Sequence, residues 1–182
     1  MKMQQQPYSE VFCSETDEQR PPVQYGMIDA ETYKITIAML PVVTVDVLPF
    51  REDFTEVLLL NRVNKPAQNQ YYSPGGRLLK NEEFADGAVR QFKRELGLDI
   101  NEKDLIAGGV INEIWQDSSF EGVNYHSVNV FFGYSLRHSQ LLELTLDFQH
   151  SHFKWFNVED SSIHPKVQQR IEIIKQNFCQ CC

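Results

Sequence analysis

The stretch "PGGRLLKNEEFADGAVRQFKRELGLDI", Pro74 to Ile100, decides the reading of this chain. It opens with a glycine turn and continues as a charged helix. From Asn81 to Leu96 the apolar residues Phe84, Ala88, Phe92 and Leu96 recur every fourth position, one face of a helix. Asn81 is placed to cap its N-terminus, Glu82 and Glu83 suit its first turn, and Gly97 suits the residue just past its end. Gly87 is expected to weaken the middle.

Outward from this unit, residues 1–26 are polar and read as a flexible extension. "YKITIAMLPVVTVDVLPF" is rich in β-branched residues and interrupted by Pro41, so it is expected as strand with a break. "TEVLLLNRV" reads as a strand and "NKPAQNQYYSPGG" as a loop ending in a turn. Past the helix, "DLIAGGVINEIW", "NYHSVNVFFGYSL" and "HFKWFNV" are strand-like. "SIHPKVQQRIEIIKQNF" is a closing helix that starts near Pro165 and carries Val167, Ile171 and Ile174 on one face. Strands, helix, strands, helix is the order of an α+β sandwich and not of a doubly wound sheet.

The chain has 182 residues, enough for one domain with a full core. Residues 27–178 are read as that domain and 179–182 as a Cys-rich tail. The net charge of −8 argues against nucleic-acid binding, which needs clustered Lys and Arg. A small anionic ligand is compatible with it, because a divalent cation can mediate the contact. No stretch approaches the roughly 18 apolar residues of a membrane span, and "MKMQQQPYSE" has no signal-like apolar region, so no membrane partner is expected. Cys13, Cys179, Cys181 and Cys182 form no disulfide framework, which points to a reducing cytoplasm. The tail reads as exposed and oxidisable; it lacks the aliphatic residues of a prenylation box.

Gly76, Glu82, Arg90, Glu95, Gly97 and Leu98 keep the spacing G-x5-E-x7-R-E-U-x-E-E-x-G-U, with U bulky and apolar. On that spacing the chain resembles the Nudix hydrolases. Two Glu positions of the pattern are changed, to Gln91 and Arg94. Positions 91 and 95 share a helix face and 94 lies close by. Three carboxylates there can hold several cations against a diphosphate; Glu95 alone can serve one hard cation. Glu82 and Arg90 are expected to tie the helix to the glycine loop.

The departures, with "VVTVDV", "NRVNKPAQ", "PGGRLLKNEE", "RELG" and "DFQHSHFKWF", resemble the GDP-mannose mannosyl hydrolase branch. That resemblance implies a Nudix α/β/α sandwich with a mixed sheet. It implies a nucleotide-sugar substrate cleaved at the anomeric C–O bond with inversion, Mg²⁺ or Mn²⁺ as cofactor, and a homodimer formed with the help of residues 27–36. By the same resemblance, the Gly75 carbonyl, Glu95 and Gln149 hold one metal ion, and His150 is the general base. Arg62 and Arg77 stabilise the leaving diphosphate, and Asp46 steadies positive charge on the sugar ring. Asn129 stands where the branch has a Tyr, which puts the sugar in question. Two alternatives stay open: a pyrophosphohydrolase attacking phosphorus, and a nucleotide-binding module that cleaves nothing. His126, His138, His152 and His164 are read as structural or solvent-facing, and Trp115 and Trp155 as core or dimer contacts.

Overall fold

The computed structural model describes residues 21–145 and 150–179, without the side chains of residues 150, 151, 178 and 179. The described chain runs α1 (Ala30–Met39), β1 (Val42–Arg51), β2 (Glu56–Arg62), β3 (Tyr71–Tyr72), β4 (Gly75–Arg77), α2 (Phe84–Leu96), β5 (Ile106–Trp115), β6 (Tyr125–Leu136), β7 (His150–Asn157) and α3 (Pro165–Cys179). Among the described residues seven strands form one sheet, with central order β3-β2-β1-β6-β5; β4 pairs with β1 and β7 with β2. β1 and β6 run parallel and the other pairs antiparallel. This is the α/β/α sandwich with a mixed sheet.

The central strands carry apolar residues on both faces because each face is covered by a helix. Val45, Val47, Leu58, Leu60, Val130 and Phe132 meet Ala88, Phe92 and Leu96 of α2. Leu48, Phe50, Val57, Leu59 and Phe131 meet Val167, Ile171 and Ile174 of α3. Each fully buried Leu or Phe contributes roughly 1.5–3 kcal/mol relative to exposure. Alternation along β1 places Asp46 on the α3 face, in line with Leu48 and Phe50.

Three local expectations are corrected. The run "AETYKITIAM" is a helix and not a strand. Asp29 caps it by accepting the Thr32 N–H at 3.0 Å, and the Thr36 hydroxyl bonds back to the Thr32 carbonyl at 2.8 Å. Tyr33 and Ile37, one helical turn apart, face the domain, a period hidden among β-branched residues. In the loop "NKPAQNQYYSPGG" two short strands form, β3 and the start of β4. α2 starts at Phe84 with Glu83 at its cap; Asn81 instead adopts φ 68° and donates from its side chain to the Pro22 carbonyl at 2.9 Å. Gly87 is a close-packing position: a Cβ there would lie 2.8 Å from Leu78 and 3.2 Å from Val45. Gly97 ends α2 in the left-handed region, φ 73°, as its place in the sequence suggests.

Residues 1–20 and 180–182, most of the expected extension and most of the tail, lie outside the described residues. Gln24 bridges to Lys80, so the last part of the extension touches the domain. Among the described residues no helix is long and apolar enough to cross a membrane.

Candidate functional site

A cavity of about 280 Å³ opens beside the glycine turn. Its lining comes from α1 (Tyr33, Ile37), β1 (Thr44, Asp46), the end of β2 (Arg62), the β2–β3 connection (Lys65), the glycine turn (Gly75, Gly76, Arg77), Arg94 of α2, the end of β5 (Glu113, Trp115), the β5–β6 loop and β6 (Tyr125, Asn129). Four cationic side chains, Arg62, Lys65, Arg77 and Arg94, thus line one pocket of an acidic protein. Aromatic rings of Tyr33, Trp115, Phe120 and Tyr125 share the same wall. Positive charge beside aromatic surface suits a ligand with phosphate groups and a planar ring.

The glycine turn is held from both sides. Gly75 pairs with Asp46, and a Cβ at Gly75 would lie 2.2 Å from Asp46 Oδ1, so no side chain fits there. Arg90 grips Glu82 through two bonds of 2.5 and 2.7 Å and donates to the Arg77 carbonyl at 3.1 Å. Glu82 also accepts the Leu79 N–H at 2.8 Å. Glu82, Arg90 and Gly76 therefore shape the loop that presents Arg77 and Gly75. Arg77 makes no side-chain hydrogen bond or ion pair among the described residues.

On α2, Glu95 is buried. Its Oε2 accepts the Gly75 N–H at 2.9 Å, and its Oε1 accepts from Arg94 Nη2 at 2.5 Å. Arg94 Nη2 also reaches the Gly75 carbonyl at 3.4 Å. Gln91 donates to the Arg77 carbonyl at 3.0 Å, and its Oε1 is buried without a partner among the described residues. Among the described residues no three His, Cys, Asp or Glu side chains gather as a metal cluster. The two oxygens that converge, the Gly75 carbonyl and the Glu95 carboxylate, are hard donors that fit one divalent cation once the guanidinium moves aside. Gln149 lies outside the described residues. His150 is described by its backbone alone, which pairs with Arg62 across the β2–β7 ladder.

The wall beneath these groups holds a charged network that sequence reasoning missed. Arg170 of α3 is fully buried and donates to Asp46 Oδ2 at 2.9 Å, Ser73 Oγ at 2.6 Å and Glu113 Oε1 at 2.6 Å. The Tyr72 hydroxyl donates to the same Glu113 oxygen at 2.5 Å. Burial disfavours the Arg170 charge, but Asp46, Tyr72 and Glu113 more than offset it and hold its pKa above the ordinary value. Burial, and then Glu113 against the opposing pull of Arg170, pushes the Tyr72 phenol well up. The signal was present: position 170 lies three after Val167 and four before Ile174, so an arginine sits inside the apolar stripe of the closing helix.

Asp46 is thus enclosed. Ser73 donates to Oδ2 at 2.7 Å, and Asn129 Nδ2 donates to Oδ1 at 2.8 Å and to Thr44 Oγ1 at 2.8 Å. A carboxylate can only accept here, which fixes the Asn129 amide with Oδ1 on its other side, buried and without a partner among the described residues. Trp115 packs against the core on the α3 side and also lines the cavity; it lies against His164 and Tyr72, with Lys166 over its ring. Burial, then Lys166 and Arg170, lowers the His164 pKa. His152 is bonded to the Tyr71 hydroxyl at 2.6 Å.

The NUDIX domain family profile matches residues 40–176, most of the chain. The chain belongs to the Nudix family. Members of this family are hydrolases and generally use divalent metals. The low-salt glycan biosynthesis protein Agl8 of Haloferax volcanii is 29% identical over 148 residues, which are 81% of this chain and 90% of that protein. A MutT NUDIX hydrolase from Burkholderia pseudomallei superposes with TM-score 0.59 at 17% identity, over 74% of this chain and 98% of that one. The bifunctional NMN adenylyltransferase/ADP-ribose pyrophosphatase of Francisella tularensis, solved with AMP and a Mn ion, gives TM-score 0.53 at 19% identity, over 84% of this chain and 45% of that one.

The buried network predicts a stability effect. Arg170→Met is expected to destabilise the fold by about 3–5 kcal/mol in urea unfolding, because Asp46 and Glu113 would keep buried charges without their counterion. A loss below about 1 kcal/mol, the value of an exposed pair, would show that the network carries little of the fold.

Proposed function

We propose that this Nudix hydrolase acts on nucleotide sugars and cleaves the anomeric C–O bond, releasing a nucleoside diphosphate and a free hexose in the manner of GDP-mannose mannosyl hydrolases. The observation that carries the reading is the depleted acidic set on α2: Gln91 is spent on the Arg77 carbonyl and only Glu95 offers a carboxylate. Attack on phosphorus through a metal-bound nucleophile and a cluster of cations draws on several carboxylates. Departure of a diphosphate from carbon needs mainly positive charge around the leaving group, and Arg62, Lys65 and Arg77 line the cavity. The glycan-biosynthesis description of the Haloferax relative fits a sugar-bearing substrate.

In this mechanism the Gly75 carbonyl, Glu95 and Gln149 hold one Mg²⁺ or Mn²⁺. When bound, that ion neutralises charge on the leaving diphosphate. Arg62 and Arg77 bind the same diphosphate, and their attraction grows as the glycosidic bond breaks. His150, adjacent to Arg62 across the ladder, takes the proton from the attacking water. Asp46 shares its charge with Arg170, so its field at the sugar is reduced; it orients the Asn129 amide at the cavity wall. We place the protein in the cytoplasm as a homodimer. Ile35 and Met39, one turn apart on α1, are exposed apolar residues, as is Leu40 just past its end, and they suit a second copy.

Turnover in ¹⁸O-water with a panel of GDP-, ADP- and UDP-sugars tests the reading, with products read by mass. Label is expected in the hexose. Label in a phosphate product would identify a pyrophosphohydrolase, and no turnover of any sugar a binding module. In the same assay His150→Gln is expected to lower kcat by about 10²–10⁴ with Mn²⁺ affinity little changed, as for loss of a general base. Activity near wild type would remove His150 from that role. Sedimentation equilibrium is expected to give a dimer, and Ile35→Glu with Met39→Glu a monomer; a wild-type monomer would refute the interface.

A further inference from the structure

The Gly75 carbonyl and the Glu95 carboxylate converge on one point, and a cation already stands there. Nη2 of Arg94 touches both, at 3.4 Å and 2.5 Å. The partners differ in exposure. The Glu95 side chain is 2% exposed and its other oxygen is fixed by the Gly75 N–H. The Arg94 side chain is 42% exposed, a long stem with its head at the cavity wall. The glycine loop makes the approach possible: a Cβ on Gly76 would lie 3.2 Å from Arg94 Nη2 and 2.9 Å from Gln91 Nε2. The guanidinium thus lies close against backbone where any larger residue would push it away.

We propose that Arg94 is a resident cation which occupies the metal position of the unliganded enzyme, yields it to a divalent ion, and so sets the affinity for that ion. Glu95 is buried, and a buried carboxylate needs a counterion at all times. A divalent ion and a guanidinium cannot share its Oε1, because like charges at contact distance repel strongly in a partly buried site. Metal entry therefore includes the departure of Arg94. Its planar fork, released at the cavity wall, matches a phosphate oxygen pair, so the displaced charge stays useful to a diphosphate ligand. The chain carries an arginine where the box has a glutamate, which exchanges a metal ligand for a competitor of the metal.

The inference rests on the assignment of Gly75 and Glu95 as metal ligands, and its test uses Mn²⁺ alone, without nucleotide. Free Mn²⁺ is followed by electron paramagnetic resonance as full-length protein is titrated. Arg94→Gln is expected to bind Mn²⁺ at least about tenfold more tightly than wild type, because the competing charge is gone. Arg94→Lys, which keeps the charge, is expected to stay within about threefold of wild type. Glu95→Gln is expected to lose the site in either background. Circular dichroism confirms that each variant is folded, and Arg94→Ala serves as a second neutral variant. Equal or weaker Mn²⁺ binding in the folded neutral variants overturns the proposal. The outcome is independent of which bond is cleaved, so it can fail while the labelled-water result stands, and the reverse.

Discussion

One guanidinium organises the molecule between the sheet and its last helix. Arg170 takes a carboxylate from β1 and another from β5, with Ser73 as a third partner, at a place where water does not reach. Placing three charges in the interior is costly unless each is compensated, so the three positions stand or fall together. The bond ties α3 to the strands that support the cavity wall. It also sets the polarity of that wall: Asp46 is paired with Arg170 from below, and Glu113 is shared between Arg170 and Tyr72. A ligand in the cavity therefore meets a negative field much weaker than two bare carboxylates would give, which is compatible with anionic phosphate groups among the neighbouring arginines.

The glycine turn is the second fixed element. Its geometry is enforced by absence, since Gly75 has no room for a Cβ against Asp46, and by the Glu82–Arg90 pair that clamps the loop to α2. The clamp and the acidic set on α2 are separable. The residues that shape the loop are kept, while those that would gather several cations are replaced by an amide and a guanidinium. The loop thus keeps its shape while the acidic set beside it is reduced, and the rest of the cavity differs in character. There the wall is aromatic and hydrogen-bonding, with Tyr33, Phe120, Tyr125 and Asn129.

Much of this was legible in the sequence where a single local rule governs. The four-residue apolar spacing of α2, the glycine past its end and the proline opening α3 each read directly, because helix period and termini are local properties. α1 was not legible: its β-branched residues argue for strand, and the decisive facts are a side-chain cap at Asp29 and the docking of Tyr33 and Ile37, which only the assembled domain supplies. Asn81 was misplaced for a related reason, since its side chain is drawn to Pro22, distant in the chain. At the site, a linear motif carries Gly75, Arg77 and Glu95 into view. Arg170, Glu113 and Tyr72 belong to no motif and meet only through the α3 packing, although an arginine within an apolar stripe was a readable sign. The position of Arg94 was readable but not its contacts: repulsion of a metal was foreseeable from its charge, while its approach to the Gly75 carbonyl and the Glu95 carboxylate depends on the bend of the glycine loop.

The parallel pairing of β1 with β6 runs without interruption over ten residue pairs, from Val42 with Ser127 to Arg51 with Leu136. Successive side chains of β1 alternate between the two helices, so a shift of one residue would exchange the places of Val45 and Asp46. The carboxylate would then enter the layer of Phe92 and Leu96, far from any guanidinium, and Arg170 would face a valine. Asp46 thus penalises every odd offset of the central strand, and the same residue that borders the cavity also proofreads the alignment of the sheet.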